Sequence, residues 1–117
     1  MPAIVIKRIY DEASKNDGYR ILVDRIWPRD VSKEKATLDQ WNKEIAPTTE
    51  LRKWFNHKKE RFEEFAIKYK EELHMHGKAL DDLRKIAQTK QVTLLYAAKD
   101  EQCNQAIVLR NVLNSTL

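Results

Sequence analysis

The chain has 117 residues, 42% hydrophobic and 34% charged, which fits one domain with a continuous core and argues against wholesale disorder. Its 22 Lys and Arg against 18 Asp and Glu leave a net charge of +4. That balance permits an anionic partner without requiring one. Acids and bases alternate, as in Lys33-Glu34-Lys35 and Lys58-Lys59-Glu60-Arg61, the pattern of a solvated helix face rather than of a nucleic-acid-binding tail.

No apolar run approaches the roughly 20 residues of a bilayer span. Residues 1–7 hold no basic region followed by an apolar stretch and a small-residue cleavage site. A single cysteine, Cys103, excludes an internal disulfide and a cysteine-based metal site within one chain. The expectation is a cytoplasmic protein without membrane contact or cofactor, a monomer or homodimer.

In chain order, Ile4-Val5-Ile6 opens a strand over residues 3–9. A polar loop with an Asp17-Gly18 turn follows, then a second strand over residues 19–24. Pro28 holds Trp27 extended and ends regular structure there. Ser32 is a helix N-cap. Beyond it Leu38, Trp41 and Ile45 recur at helical spacing, although residues 38–41 fit an extended chain equally, and Pro47 stops the segment. Thr48 or Thr49 caps a short helix over residues 50–55.

Phe62, Phe65, Ala66, Tyr69 and Leu73 form an apolar stripe along a helix over residues 59–74. Gly77 breaks it, and Leu80, Leu83, Ile86 and Ala87 mark another helix. Residues 92–98 form a nearly continuous apolar run, the mark of a strand covered on both faces. Asp100 then caps a last helix, whose apolar side is Ala106, Leu109, Val112 and Leu113. The order predicts a single small α/β domain, a short, mostly parallel sheet with helices packed on it and the helical middle as crossover.

Open α/β sheets bind ligands outside the carboxyl ends of their strands. Here those ends deliver Arg8, then Asp24, Arg25, Trp27 and Arg29, then Tyr96, Lys99 and Asp100. A pocket of Arg8, Arg25, Arg29 and Lys99, walled by Trp27 and Tyr96, suits a small anion such as a nucleotide or phosphorylated metabolite. Asp24 or Asp100 would handle protons in any catalysis, a base rather than an acid beside two arginines. His57 is a further candidate base.

The bland reading is that the aspartates pair with the arginines and Lys99 and pin loops together. The alternative function is a nucleic-acid-binding or protein-interaction module without catalysis, using Arg52, Lys53, Lys58, Lys59 and Arg61. His74 and His76 are too few to hold a metal. Cys103 reads as a thiol in the first turn of the last helix, though free cysteine is commonly a small hydrophobe.

Four segments carry a family resemblance: residues 17–29 (DGYRILVDRIWPR), 32–36 (SKEKA), 46–55 (APTTELRKWF) and 93–100 (TLLYAAKD). Together they resemble the YeaO-like branch of the domain-of-unknown-function family 488. The resemblance implies a small cytoplasmic bacterial protein with an α/β fold, and no particular activity. Two departures matter. Asp30 stands where the family has glycine, which questions a tight turn or adds a carboxylate to the site. Tyr96 and Cys103-Asn104-Gln105 stand where the wider family has Cys and Cys-His-Arg, so a thiol mechanism does not carry over.

Overall fold

The computed structural model describes residues 3–115; Met1 and Pro2, the first residues of the stretch read above for a leader, lie outside them. Four strands, β1 (Ile4–Arg8), β2 (Tyr19–Leu22), β3 (Gln40–Trp41) and β4 (Val92–Tyr96), form one sheet in the order β1-β4-β2-β3. Every pairing is parallel, so all four carboxyl ends lie along one edge. The helices are α1 (Lys33–Ala36), α2 (Thr49–Phe55), α3 (Phe62–His74), α4 (Gly77–Ala87) and α5 (Gln105–Asn114).

Strand periodicity divides the core in two. Val92, Leu94 and Tyr96 of β4 face a large cluster with Ile4, Ile21, Val23 and the apolar stripes of α2 to α5. Leu95, Leu22 and Ile9 point the other way, into a smaller cluster with Ala36, Trp27, Leu38 and Trp41. The expected α/β sheet with the helical middle as crossover is what forms. The central strand is buried along its whole length, as its apolar run required.

The strands are one to two residues shorter at their ends than expected, and the 59–74 helix begins with a 3-10 turn over Lys59–Arg61; two further differences have a specific cause. The helix capped by Ser32, whose hydroxyl accepts the Lys35 N–H at 3.1 Å, ends after Ala36 instead of running to Ile45. Thr37 turns left-handed at φ 49°. The Arg20 guanidinium takes the carbonyl of Ala36 at 2.8 Å and that of Thr37 at 3.2 Å, which satisfies the helix's last acceptors. Residues 40–41 are then free to pair with Ile21 and Leu22, the extended alternative.

The last helix is capped by Asn104, whose side chain accepts the Ile107 N–H at 3.1 Å, and not by Asp100. Asp100 closes the turn before it, accepting the N–H groups of Gln102 and Cys103 at 2.8 and 2.9 Å. Cys103 therefore precedes the helix.

Gly18 is required where the loop meets β2. It has φ 66°, and a Cβ there would sit 2.4 Å from the Gln91 carbonyl oxygen, which accepts the Tyr19 N–H at 2.8 Å.

Candidate functional site

The carboxyl edge of the sheet opens into a cavity of about 580 Å³, lined by residues 24–28, the end of α2 with His57, and residues 97–105 apart from 101 and 102. That volume lies in the range of small-molecule sites. Of the residues picked from sequence, it brings together Asp24, Arg25, Trp27, His57, Lys99 and Asp100. Arg8, Arg29 and Tyr96 are not in its lining.

The reasons are local. Arg8 turns its guanidinium onto the carbonyls of Ala98 at 2.9 Å and Ala97 at 3.3 Å and lies over the Tyr10 ring. Tyr96 is in the core, 2% exposed, where burial, foremost, raises its phenol pKa. Arg29 is exposed, and its carbonyl accepts the Tyr10 hydroxyl at 2.9 Å. Arg25, though in the lining, donates to the carbonyls of Pro47 at 2.9 Å and Ala46 at 3.3 Å.

Neither internal pairing nor a cluster of free arginines describes this corner. The arginines hold main-chain carbonyls.

Asp24 occupies the junction of β2, β4 and α5. Its Oδ2 accepts the Ala97 N–H at 2.9 Å, and its Oδ1 accepts the side-chain amide of Gln105. Its carbonyl takes the Trp41 indole N–H at 2.7 Å. Burial pushes its carboxyl pKa up to about 6, against the Ala97 hydrogen bond and the charge of Arg52, which act to lower it. The expected arginine pairing that would keep it a plain base is absent, because Arg25 faces Pro47. Asp100 moves the other way: the N–H groups of Gln102 and Cys103 hold its pKa below the usual range, with Lys59 adding a little.

The Asp24-Arg25-Ile26-Trp27-Pro28-Arg29 turn is also architecture. The Trp27 indole donates to the Val31 carbonyl at 2.7 Å and meets Trp41 edge-on with centroids 5.2 Å apart. Asp30 follows at φ 63°, the left-handed region that glycine enters freely. The tight turn is kept, and the Asp30 carboxylate is exposed and outside the cavity lining. Asn56 and His57 are also left-handed, at φ 46° and 55°, and of this pair His57 lines the cavity.

Phe55, Asn104 and Gln105 line the cavity without having been singled out from sequence, and Arg52, assigned there to the alternative nucleic-acid-binding face, lines it too. Arg52 and Phe55 were within reach, since both belong to the 46–55 segment that carried the resemblance. A second cluster was missed outright: Asp17 and Arg20, 6% and 3% exposed, pair at 2.5 Å, with Lys7 on Asp17 at 3.1 Å. Burial acts to raise the Asp17 pKa, but the Ser14 N–H, Lys7 and Arg20 outweigh it and hold it low.

Among the described residues no group of three or more His, Cys, Asp or Glu is placed to hold a metal ion, and no helix is long and apolar enough to cross a membrane.

Comparison with known proteins gives a consistent answer. A family model described as "Inactive DUF488-N3 subclade" matches residues 3–117. The uncharacterized protein YeaO of Escherichia coli strain K12 is 46% identical over 112 residues, 96% of this chain and 97% of that protein. The uncharacterized proteins Rv3073c of Mycobacterium tuberculosis strain H37Rv and Mb3100c of Mycobacterium bovis are each 42% identical over 109 residues, 93% of this chain and 92% of theirs. No solved structure matches.

Proposed function

Taking as premise that the chain belongs to the DUF488 family, in its YeaO-like branch, we propose that it binds a small anionic ligand, a nucleotide or phosphorylated metabolite, without turning it over. The observation that carries this is the charge balance of the cavity. Arg25, Arg52 and Lys99 line it, and among the described residues none of the three is in an ion pair. Arg25's bonds go to neutral carbonyls. Asp100, by contrast, has Lys59 at 3.9 Å and two N–H donors. Cations left without counter-ions in a concave, largely apolar site attract a negative ligand.

Binding without turnover accords with the word "inactive" in the description of the matched subclade. In this reading Asp24 and His57 contact the ligand and are not a catalytic pair, and Asp100 shapes the loop before α5. The nucleic-acid alternative has less to work with. Arg61 bonds the Trp54 carbonyl and lies over the Trp54 ring, while Lys59 faces Asp100, which leaves Lys53 and Lys58 of the proposed basic face.

The test is thermal shift against a panel of phosphorylated metabolites, followed by titration calorimetry. A ligand is expected to stabilise the chain by mass action. Arg52→Ala and Lys99→Ala should each weaken it about tenfold, as for loss of a charge-assisted contact. Absence of any stabilisation at millimolar ligand, or wild-type affinity in both variants, contradicts the proposal.

A further inference from the structure

The same cavity carries a second observation, whose reading rests on the anion site just proposed. Of the two carboxylates in its lining, Asp100 has Lys59 at 3.9 Å, whereas Asp24 is partly buried and makes no ion pair among the described residues. Both hydrogen bonds to that carboxylate come from neutral donors, the Ala97 N–H and the Gln105 amide. A carboxylate offers about four lone-pair sites, so each oxygen keeps acceptor capacity after its single bond. Arg52 acts on it only from beyond ion-pair distance, and a desolvated carboxylate without a paired cation is costly. In a binding site the remedy is a ligand that brings donors.

The walls around it are planar and apolar. Phe55 and Phe65, both in the lining, stack with centroids 4.4 Å apart, and Trp27 lines the cavity with them. Arg52 and Lys99 supply the positive part of the same lining. Acceptor, aromatic surface and cations in one cavity describe a ligand with a donor edge, a flat ring and an anionic group.

We infer that Asp24 is a specificity-determining residue that selects a ligand with two adjacent N–H donors on a planar ring, and so, among nucleotides, a guanine base. The ring N–H and exocyclic amine of guanine both reach one carboxylate. Adenine sets an acceptor beside its donor, and that acceptor meets a carboxylate oxygen with no hydrogen between them. Discrimination of this kind is strong because the mismatch leaves a desolvated polar group unpaired.

The experiment is calorimetric titration of the full chain with GMP, IMP, AMP and inorganic phosphate, for the wild type and Asp24→Asn. GMP should bind about tenfold tighter than IMP, which lacks the exocyclic amine, and tighter still than AMP. Asp24→Asn should lose GMP about tenfold without weakening inorganic phosphate, since it removes a negative charge from the site. AMP binding as tightly as GMP, or GMP affinity untouched by Asp24→Asn, overturns the selectivity and leaves the anion site standing. Failure of all four probes overturns both. Should Asp24→Asn not fold, the wild-type series decides alone.

Discussion

At Asp24 burial and hydrogen bonding act in opposite directions, and burial wins: the carboxyl titrates at about 6, against about 3.9 for an unfolded aspartate. Between those values the folded chain holds more protons than the unfolded one, so stability falls as pH rises. The ionised, desolvated group then costs on the order of 2 kcal/mol at neutral pH, allowing for its partial exposure. Urea unfolding of the wild type and Asp24→Asn from pH 4.5 to 7 should show the variant gaining about that much relative to wild type, and a pH-independent difference would contradict the assignment. Asp17 has the opposite sign. Its pKa is depressed, so its contribution is present above the unfolded value and is lost as pH falls below it.

Asn56 and His57 are left-handed side by side, and non-glycine residues hold such geometry only where the surroundings impose it.

Among the elements, the recurring device is an arginine closing a helix end. Arg20 takes the last carbonyls of α1. Arg61 takes the Trp54 carbonyl near the end of α2. Arg84 takes those of Val112 and Leu113 at the end of α5, at 3.0 and 3.1 Å. Each satisfies carbonyls that a helix leaves orphaned and places a cation at the negative end of its dipole.

Arg20 has the most at stake, because it also neutralises buried Asp17. Arg20→Met should lower unfolding free energy by about 3 kcal/mol, since removing one partner leaves a buried charge short of its counter-ion. Lys7 keeps the loss at the lower end of that range. Arg84→Ala should lose about 1 kcal/mol by the same urea titration. Similar small losses in both would mean the Asp17–Arg20 pair is not the anchor described.

What sequence could reveal follows from the same contacts. The Val92–Tyr96 strand and the stripe Phe65, Tyr69 and Leu73 were legible because their signal is local periodicity. Leu38, Trp41 and Ile45 fitted two periods, and only the Arg20 clamp decided between them. Arginine partners were illegible in principle, because every residue carries a carbonyl and nothing in the sequence marks Ala97, Ala46 or Ala36 as an acceptor. Asp100 and Asn104 are both good caps four residues apart, and packing of α5 against the sheet chose the second. Arg52 reads from sequence as one of a run of basic residues on a helical face, and only the placement of α2 turns it to the cavity.

For the whole molecule, the parallel order β1-β4-β2-β3 places the residues after β2 and β4 side by side, while α2 and α5 bring Arg52, His57 and Gln105 to the same rim. The D-R-x-W-P-R turn is thus both a structural corner, through Trp27 and Arg25, and one wall of the cavity, through Asp24. The similarity to YeaO runs over nearly the whole of both chains.

The proposed anion site lies at this rim. Amide chemical-shift mapping during titration with GMP tests it most directly. The largest changes are expected in residues 24–28, 52–57 and 97–105. Largest changes on the exposed faces of α3 and α4, or none at millimolar ligand, would contradict it.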